Sequence, residues 1–151
     1  LPEVIKASVK LKEKYNINTD VWSVTSYKNL IQDAQDIERQ NIRNGKELKP
    51  YISECLNKID GPIIAASDYM KVLPDSLSKW IKDELVSLGT DGYGRSDDRP
   101  ALRNHFEVDA NSITWSVLAS LNLKGHYKDK DLEKAREDLG IDLNKPNPLG
   151  E

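Results

Sequence analysis

Cysteine is nearly absent, with Cys55 the single one in 151 residues. A lone cysteine excludes an intramolecular disulfide and any zinc cage built on thiolates. Such usage suits the reducing cytoplasm, which is the expected location. Histidine is scarce too, with only His105 and His126. Long apolar runs are missing. The run Pro62-Ile63-Ile64-Ala65-Ala66 falls far short of the ~20 residues a membrane-spanning helix needs. No basic stretch followed by an apolar core opens the sequence, so no secretory leader is expected. An excess of positive charge is also lacking. Lys+Arg number 22 and Asp+Glu 25, giving −3, so no basic footprint for nucleic acid or anionic lipid is present.

What is present suffices for one folded domain. Apolar residues make up 38% and charged residues 31%, which is far from a disordered composition. A chain of this length buries roughly 68–70% of its unfolded surface. Leu1 is not an initiator residue, so the sequence reads as a piece of a longer polypeptide. Residues 1–141 are expected to form the domain and 142–151 an exposed, proline-containing tail.

Apolar periodicity predicts helices over 2–15, 27–44, 50–59, 68–81, 98–105, 109–124 and 129–139. Ser26, Ser67-Asp68 and Asp109 are natural N-caps, and Gly45, Gly125 and Gly140 natural stops. Pro74 lies inside one pattern and calls for a kink or a late start. β-Formers predict strands at 20–25, 62–67, 84–88 and 106–108. The run Ile63-Ile64-Ala65-Ala66 does not alternate, which argues for burial on both faces of a parallel sheet. Strands alternating with helices predict an α/β class, arranged as a three-layer α/β/α sandwich. Four strands are lean against a mean sheet of ~5–6.

The most conspicuous motif is Gly89-Thr90-Asp91-Gly92-Tyr93-Gly94-Arg95-Ser96-Asp97, which follows a strand and precedes a helix. Its spacing, G-x-x-G-x-G, reverses the dinucleotide fingerprint. Asp91, Asp97 and Asp98 would repel a phosphate there. The plainer reading is that the glycines serve turns and close packing. Asp97 and Asp98 suggest a metal pair, but acids at a helix start also satisfy free N–H groups, and no third ligand follows at a telling spacing. Cys55 lies on an apolar stripe. Neither histidine sits beside a nucleophile. Trp22, Trp80 and Trp115 fall on separate elements and suit core or interface anchoring. The residues alone therefore nominate no catalytic, cofactor-binding or metal-binding side chain.

Four runs carry a resemblance: Asp20-Val21-Trp22-Ser23-Val24-Thr25-Ser26; Ala66-Ser67-Asp68-Tyr69-Met70-Lys71; Leu88 through Asp97; and Leu102-Arg103-Asn104-His105-Phe106-Glu107-Val108-Asp109. In order, they resemble the C-terminal domain of the homodimeric, bacterial-type pyruvate dehydrogenases, which are thiamine diphosphate-dependent and transketolase-like. The resemblance implies a mixed five-stranded sheet whose first strand is missing here. It implies thiamine diphosphate and magnesium in the complete enzyme, which decarboxylates pyruvate and passes an acetyl unit to a lipoyl group. It also implies three partners: the preceding domains of the same chain, a second copy in a homodimer, and the acetyltransferase component of the complex.

The family's Gly-Asp-Gly metal signature is not found, since Thr90-Asp91-Gly92 lacks the first glycine. No position accepts the family's catalytic glutamate or histidines. The resulting expectation is a non-catalytic packing and dimerisation domain. Its candidate contact loop is Gly89, Asp91, Gly92, Tyr93, Gly94, Arg95 and Asp97. The alternative is a stand-alone nucleotide or small-ligand domain using the same glycines. A docking module built on helix 129–139 or the tail is a further option.

Overall fold

The computed structural model describes residues 1–150. Helix α1, Pro2–Tyr15, begins with a proline in its first turn and ends at Asn16 in the left-handed region. Helix α2, Tyr27–Asn44, is capped by the Ser26 hydroxyl, which accepts from the Asn29 N–H at 3.2 Å, and stops at Gly45. Helix α3, Tyr51–Leu56, follows buried Pro50. Strand β1 is Ile63–Ala66 and strand β2 is Leu85–Leu88. They pair in parallel, with Ile63 opposite Leu85 and Ala66 opposite Leu88.

Between the strands lies helix α4, Val72–Asp75, then a 3-10 turn, Ser78–Trp80. Pro74 is the physical reason for this broken element. It has no N–H to donate to the Met70 carbonyl, so the helix starts late. Helix α5, Arg99–His105, is capped by Asp98, and helix α6, Ala110–Leu123, by Asp109. Helix α7, Asp129–Leu139, stops at Gly140. A final 3-10 turn is Pro148–Gly150.

Two helical groups pack on the sheet. Helix α6 packs on β1 and also holds α1 and α7. Helix α4 packs on β2 and on α2, which carries α3. The main core joins α1, α6 and α7 through Leu11, Leu118, Ala135 and Leu139, with Trp115 and Tyr127 against it. Leu118 is fully buried. Removing such a side chain leaves a cavity, at a cost of about 2–5 kcal/mol.

The α/β class holds, but the sheet is smaller than its sequence suggests. Residues 20–25 form no strand and lie in an extended, exposed segment. Val21, Trp22 and Val24 are β-formers, yet β-propensity needs a neighbouring strand to pack against, and none is there. Residues 106–108 are also not a strand. Glu107 adopts φ 59°, Val108 N–H bonds back to the Arg103 carbonyl at 2.9 Å, and Glu107 N–H to Asn104 at 3.0 Å. That pattern is a helix-terminating turn joining α5 to α6, with Val108 buried beneath it. Both strands are half-buried along their whole length rather than covered on both faces. Among the described residues the sheet is purely parallel, without the antiparallel strand of a mixed sheet.

Candidate functional site: the glycine loop

In a parallel sheet, loops at the carboxyl ends of the strands are the ones free to carry function. Here those ends lead into 67–71 after β1 and into 89–97 after β2. The two segments are tied together at their base. Thr90 N–H donates to the Tyr69 carbonyl at 3.1 Å. Asp91 accepts from the Lys71 N–H at 3.3 Å, with the Lys71 ammonium 4.0 Å from the same carboxylate.

Gly89 is buried at this junction, and a Cβ there would stand 2.5 Å from the Tyr69 carbonyl oxygen. Glycine is needed because backbone meets backbone. Gly92 has φ +101°, and its Cβ would stand 2.7 Å from the Pro148 carbonyl oxygen. Gly94 differs, having open space around it and no left-handed φ.

Beyond Asp91 the loop is open to solvent, with Gly92 lying against Pro148. Every residue from Gly92 to Pro100 is exposed, and Tyr93 is 79% exposed. A cleft of about 550 Å³ runs beside it, lined by Tyr93, Arg95, Ser96, Asp97, Leu102 and His105. A second cleft, of about 280 Å³, lies between Lys71, Asp91, Glu107 and Lys145. His105 stacks edge-on to Phe106 at 4.8 Å, and its Nε2 is buried without a hydrogen-bond partner.

The arrangement is a poor phosphate cradle. Two N–H groups at the start of α5 are already engaged by carboxylates. Asp98 N–H donates to Asp97 at 2.7 Å, and Ala101 N–H to Asp98 at 2.8 Å. Asp97 and Asp98 thus satisfy a helix start. Among the described residues, no three His, Cys, Asp or Glu side chains are grouped to hold a metal ion. Among the described residues no set here fits a diphosphate with its magnesium.

The structure gathers Gly89, Asp91, Gly92, Tyr93, Gly94, Arg95 and Asp97 into one loop, as chain adjacency requires. Sequence reasoning missed what lies against them. Lys145 reaches Asn104 from 41 positions away and Pro148 reaches Gly92 from still farther, and no local pattern announces such contacts.

The other sequence candidates fall elsewhere. Cys55 is half-buried and free, on α3. Trp115 joins the α1–α6–α7 core, whereas Trp22 is 52% exposed. No helix among the described residues is long and apolar enough to cross a membrane.

Fold and loop together define a small α/β domain with an exposed loop at its strand ends. The chain belongs to the transketolase-like TK C-terminal domain family, whose profile matches residues 1–109. It is 41% identical to the pyruvate dehydrogenase E1 component of Pseudomonas aeruginosa over 99% of its length, covering 17% of that protein. It is 39% identical to the pyruvate dehydrogenase E1 component of Escherichia coli K12, over 98% of this chain and 17% of that one. The Mycolicibacterium smegmatis protein of the same name is 36% identical over 94% of this chain and 16% of its own. The chain thus spans about one sixth of these relatives' length.

Proposed function

We propose that this chain acts as the C-terminal packing and dimerisation domain of a pyruvate dehydrogenase E1 component, and that loop 89–97 is its contact element. The observation that carries this reading is the exposed run from Gly92 to Pro100, set on a rigid base at the strand ends. Projecting side chains on a fixed base make an interface, because little conformational freedom is lost on docking. The relatives' shared name supports the parent activity. In that setting thiamine diphosphate with magnesium would accept the electron pair when pyruvate loses carbon dioxide. The residues of this domain would hold the other domains and the second copy in register. The acetyltransferase component is the third proposed partner, and the cytoplasm the proposed location.

The test is Tyr93→Asp with Gly92→Val in the natural polypeptide, followed by sedimentation and pyruvate turnover. Weaker dimerisation or reduced turnover is expected, by about tenfold or more if the loop is central to the contact. Unchanged dimerisation and turnover would sink the reading. The competing small-ligand role is checked by calorimetry of the chain with nucleotides and with thiamine diphosphate. Tight binding to this chain alone would favour that role instead.

A further inference from the structure

Asn44 is the only asparagine of this chain that glycine follows. It is the last residue of α2, and Gly45 after it takes φ +60°. Both are exposed, and nothing lies within 4 Å of where a Gly45 Cβ would stand. Among the described residues the Asn44 side chain has no hydrogen-bond partner.

The surrounding backbone is held from Asn41. Its carbonyl accepts from the Gly45 N–H and also from the Lys46 N–H, the latter at 3.3 Å. Its side-chain amide pairs with both backbone groups of Leu48, at 2.8 Å each. When the Gly45 N–H lets go, the Lys46 bond and the Leu48 clamp remain. Opening is thereby confined to the last helical residue and its cap, and helix ends open at little cost.

Asparagine is chemically labile. Once Asn44 leaves the helical conformation, the next backbone nitrogen can approach its side-chain carbonyl carbon. A side chain on that next residue would crowd the approach, and glycine has none.

We infer that Asn44 is a site of spontaneous deamidation, with water as the co-reactant. The Gly45 nitrogen attacks the Asn44 Cγ, and the new C–N bond closes a cyclic imide. The Cγ–Nδ2 bond breaks, and Nδ2 leaves as ammonia with the proton that the Gly45 nitrogen gives up. Water then opens the ring at one of its two carbonyls. The product is aspartate or isoaspartate, with no oxidation or reduction. Either product adds one negative charge to the formal −3. That charge falls at the C-terminal end of α2, where the helix dipole disfavours an anion. Isoaspartate also lengthens the backbone by one carbon, which loosens the last turn. The site uses no residue of loop 89–97, so it stands or falls separately from the packing role.

Asn111 supplies the contrast. Small Ser112 follows it, yet Asn111 is half-buried, donates to the Leu139 carbonyl at 3.0 Å and accepts from Lys10. The test is incubation of the natural polypeptide in mildly alkaline buffers, followed by peptide mass mapping that separates aspartate from isoaspartate. Conversion at Asn44 should run about tenfold faster than at Asn111, as a barrier lower by about 1.4 kcal/mol gives. It should also quicken as the pH rises, because the attacking nitrogen must shed its proton. An intact Asn44, or one converting no faster than Asn111, would overturn the inference. So would a rate at Asn44 that does not respond to pH.

Discussion

Single residues decide the shape of the loop base. Gly89 is buried where β2 ends, with the Tyr69 carbonyl oxygen 2.5 Å from where a Cβ would stand. A methyl group there must push backbone, and overpacking of this kind costs typically 1–3 kcal/mol. Gly89→Ala is therefore expected to lower the melting temperature by roughly 3–10 °C. Gly94→Ala, in open space, should stay within about 0.5 kcal/mol of the parent. Thermal unfolding of both variants checks the pair, and equal effects would contradict the geometry. Glu107 shows the opposite economy. It accepts a left-handed backbone that glycine would adopt more easily, because the turn's two hydrogen bonds and buried Val108 hold it there.

Charge at element ends adds to the apolar packing that joins α1, α6 and α7. Glu3 on α1 is the hub. Its carboxylate accepts from Lys6 at 2.9 Å, Arg103 at 3.1 Å and the Ala110 N–H at 3.1 Å, tying α1 to α5 and to the start of α6. The Lys6 hydrogen bond is the largest cause of its lowered pKa, and burial opposes it. Asp138 on α7 is lowered by Lys14 and by the Tyr15 hydroxyl, linking α7 to α1. Tyr15 is correspondingly held well above the usual phenol range, first by burial and then by Asp138.

The sign follows from linkage. A carboxylate whose folded pKa is depressed contributes stability above its unfolded value, and loses it as the pH falls through the lower folded value. Acid should thus loosen α1 from α6 and α7. Glu3→Gln is expected to cost about 1 kcal/mol near neutrality, and the gap to the parent should close as acid protonates Glu3. Denaturant melts across the acid range measure this. A gap that persists at low pH would show the cost to be packing rather than charge.

At the scale of the whole molecule, several large apolar side chains stay uncovered. Ile5 and Val9 on α1 are each 49% exposed, and Trp22 is 52% exposed between Val21 and Val24. If the proposed neighbouring domains pack here, Trp22 will be shielded in the natural polypeptide. With Trp80 and Trp115 replaced by phenylalanine, acrylamide should quench Trp22 about twofold less there than in the present chain, as burial of an interface aromatic implies. Equal quenching would place the neighbouring domains elsewhere.

The sequence by itself determined the helices, because caps, stops and apolar spacing act within a few residues. Ser26, Asp109, Gly45 and Gly140 each mark the boundary they were expected to mark, whereas Ser67 and Asp68 cap no helix, because the element expected over 68–81 shrinks to Val72–Asp75 around Pro74. It also determined β1, β2 and the loop between β2 and α5, since adjacency in the chain is adjacency in space. Only the tertiary structure decided the rest. Whether β-formers at 20–25 become a strand depends on a partner strand, which propensity cannot supply. Residues 106–108 became a turn because α5 and α6 pack too closely in sequence for a strand between them. The tail that reads as exposed composition became a wall of the candidate site, because Lys145 finds Asn104 and Pro148 finds Gly92 only once the chain has folded back. The scarcity of cysteine and histidine kept its force throughout. It limits what chemistry these residues can do, while contacts between distant residues decide what surface they present.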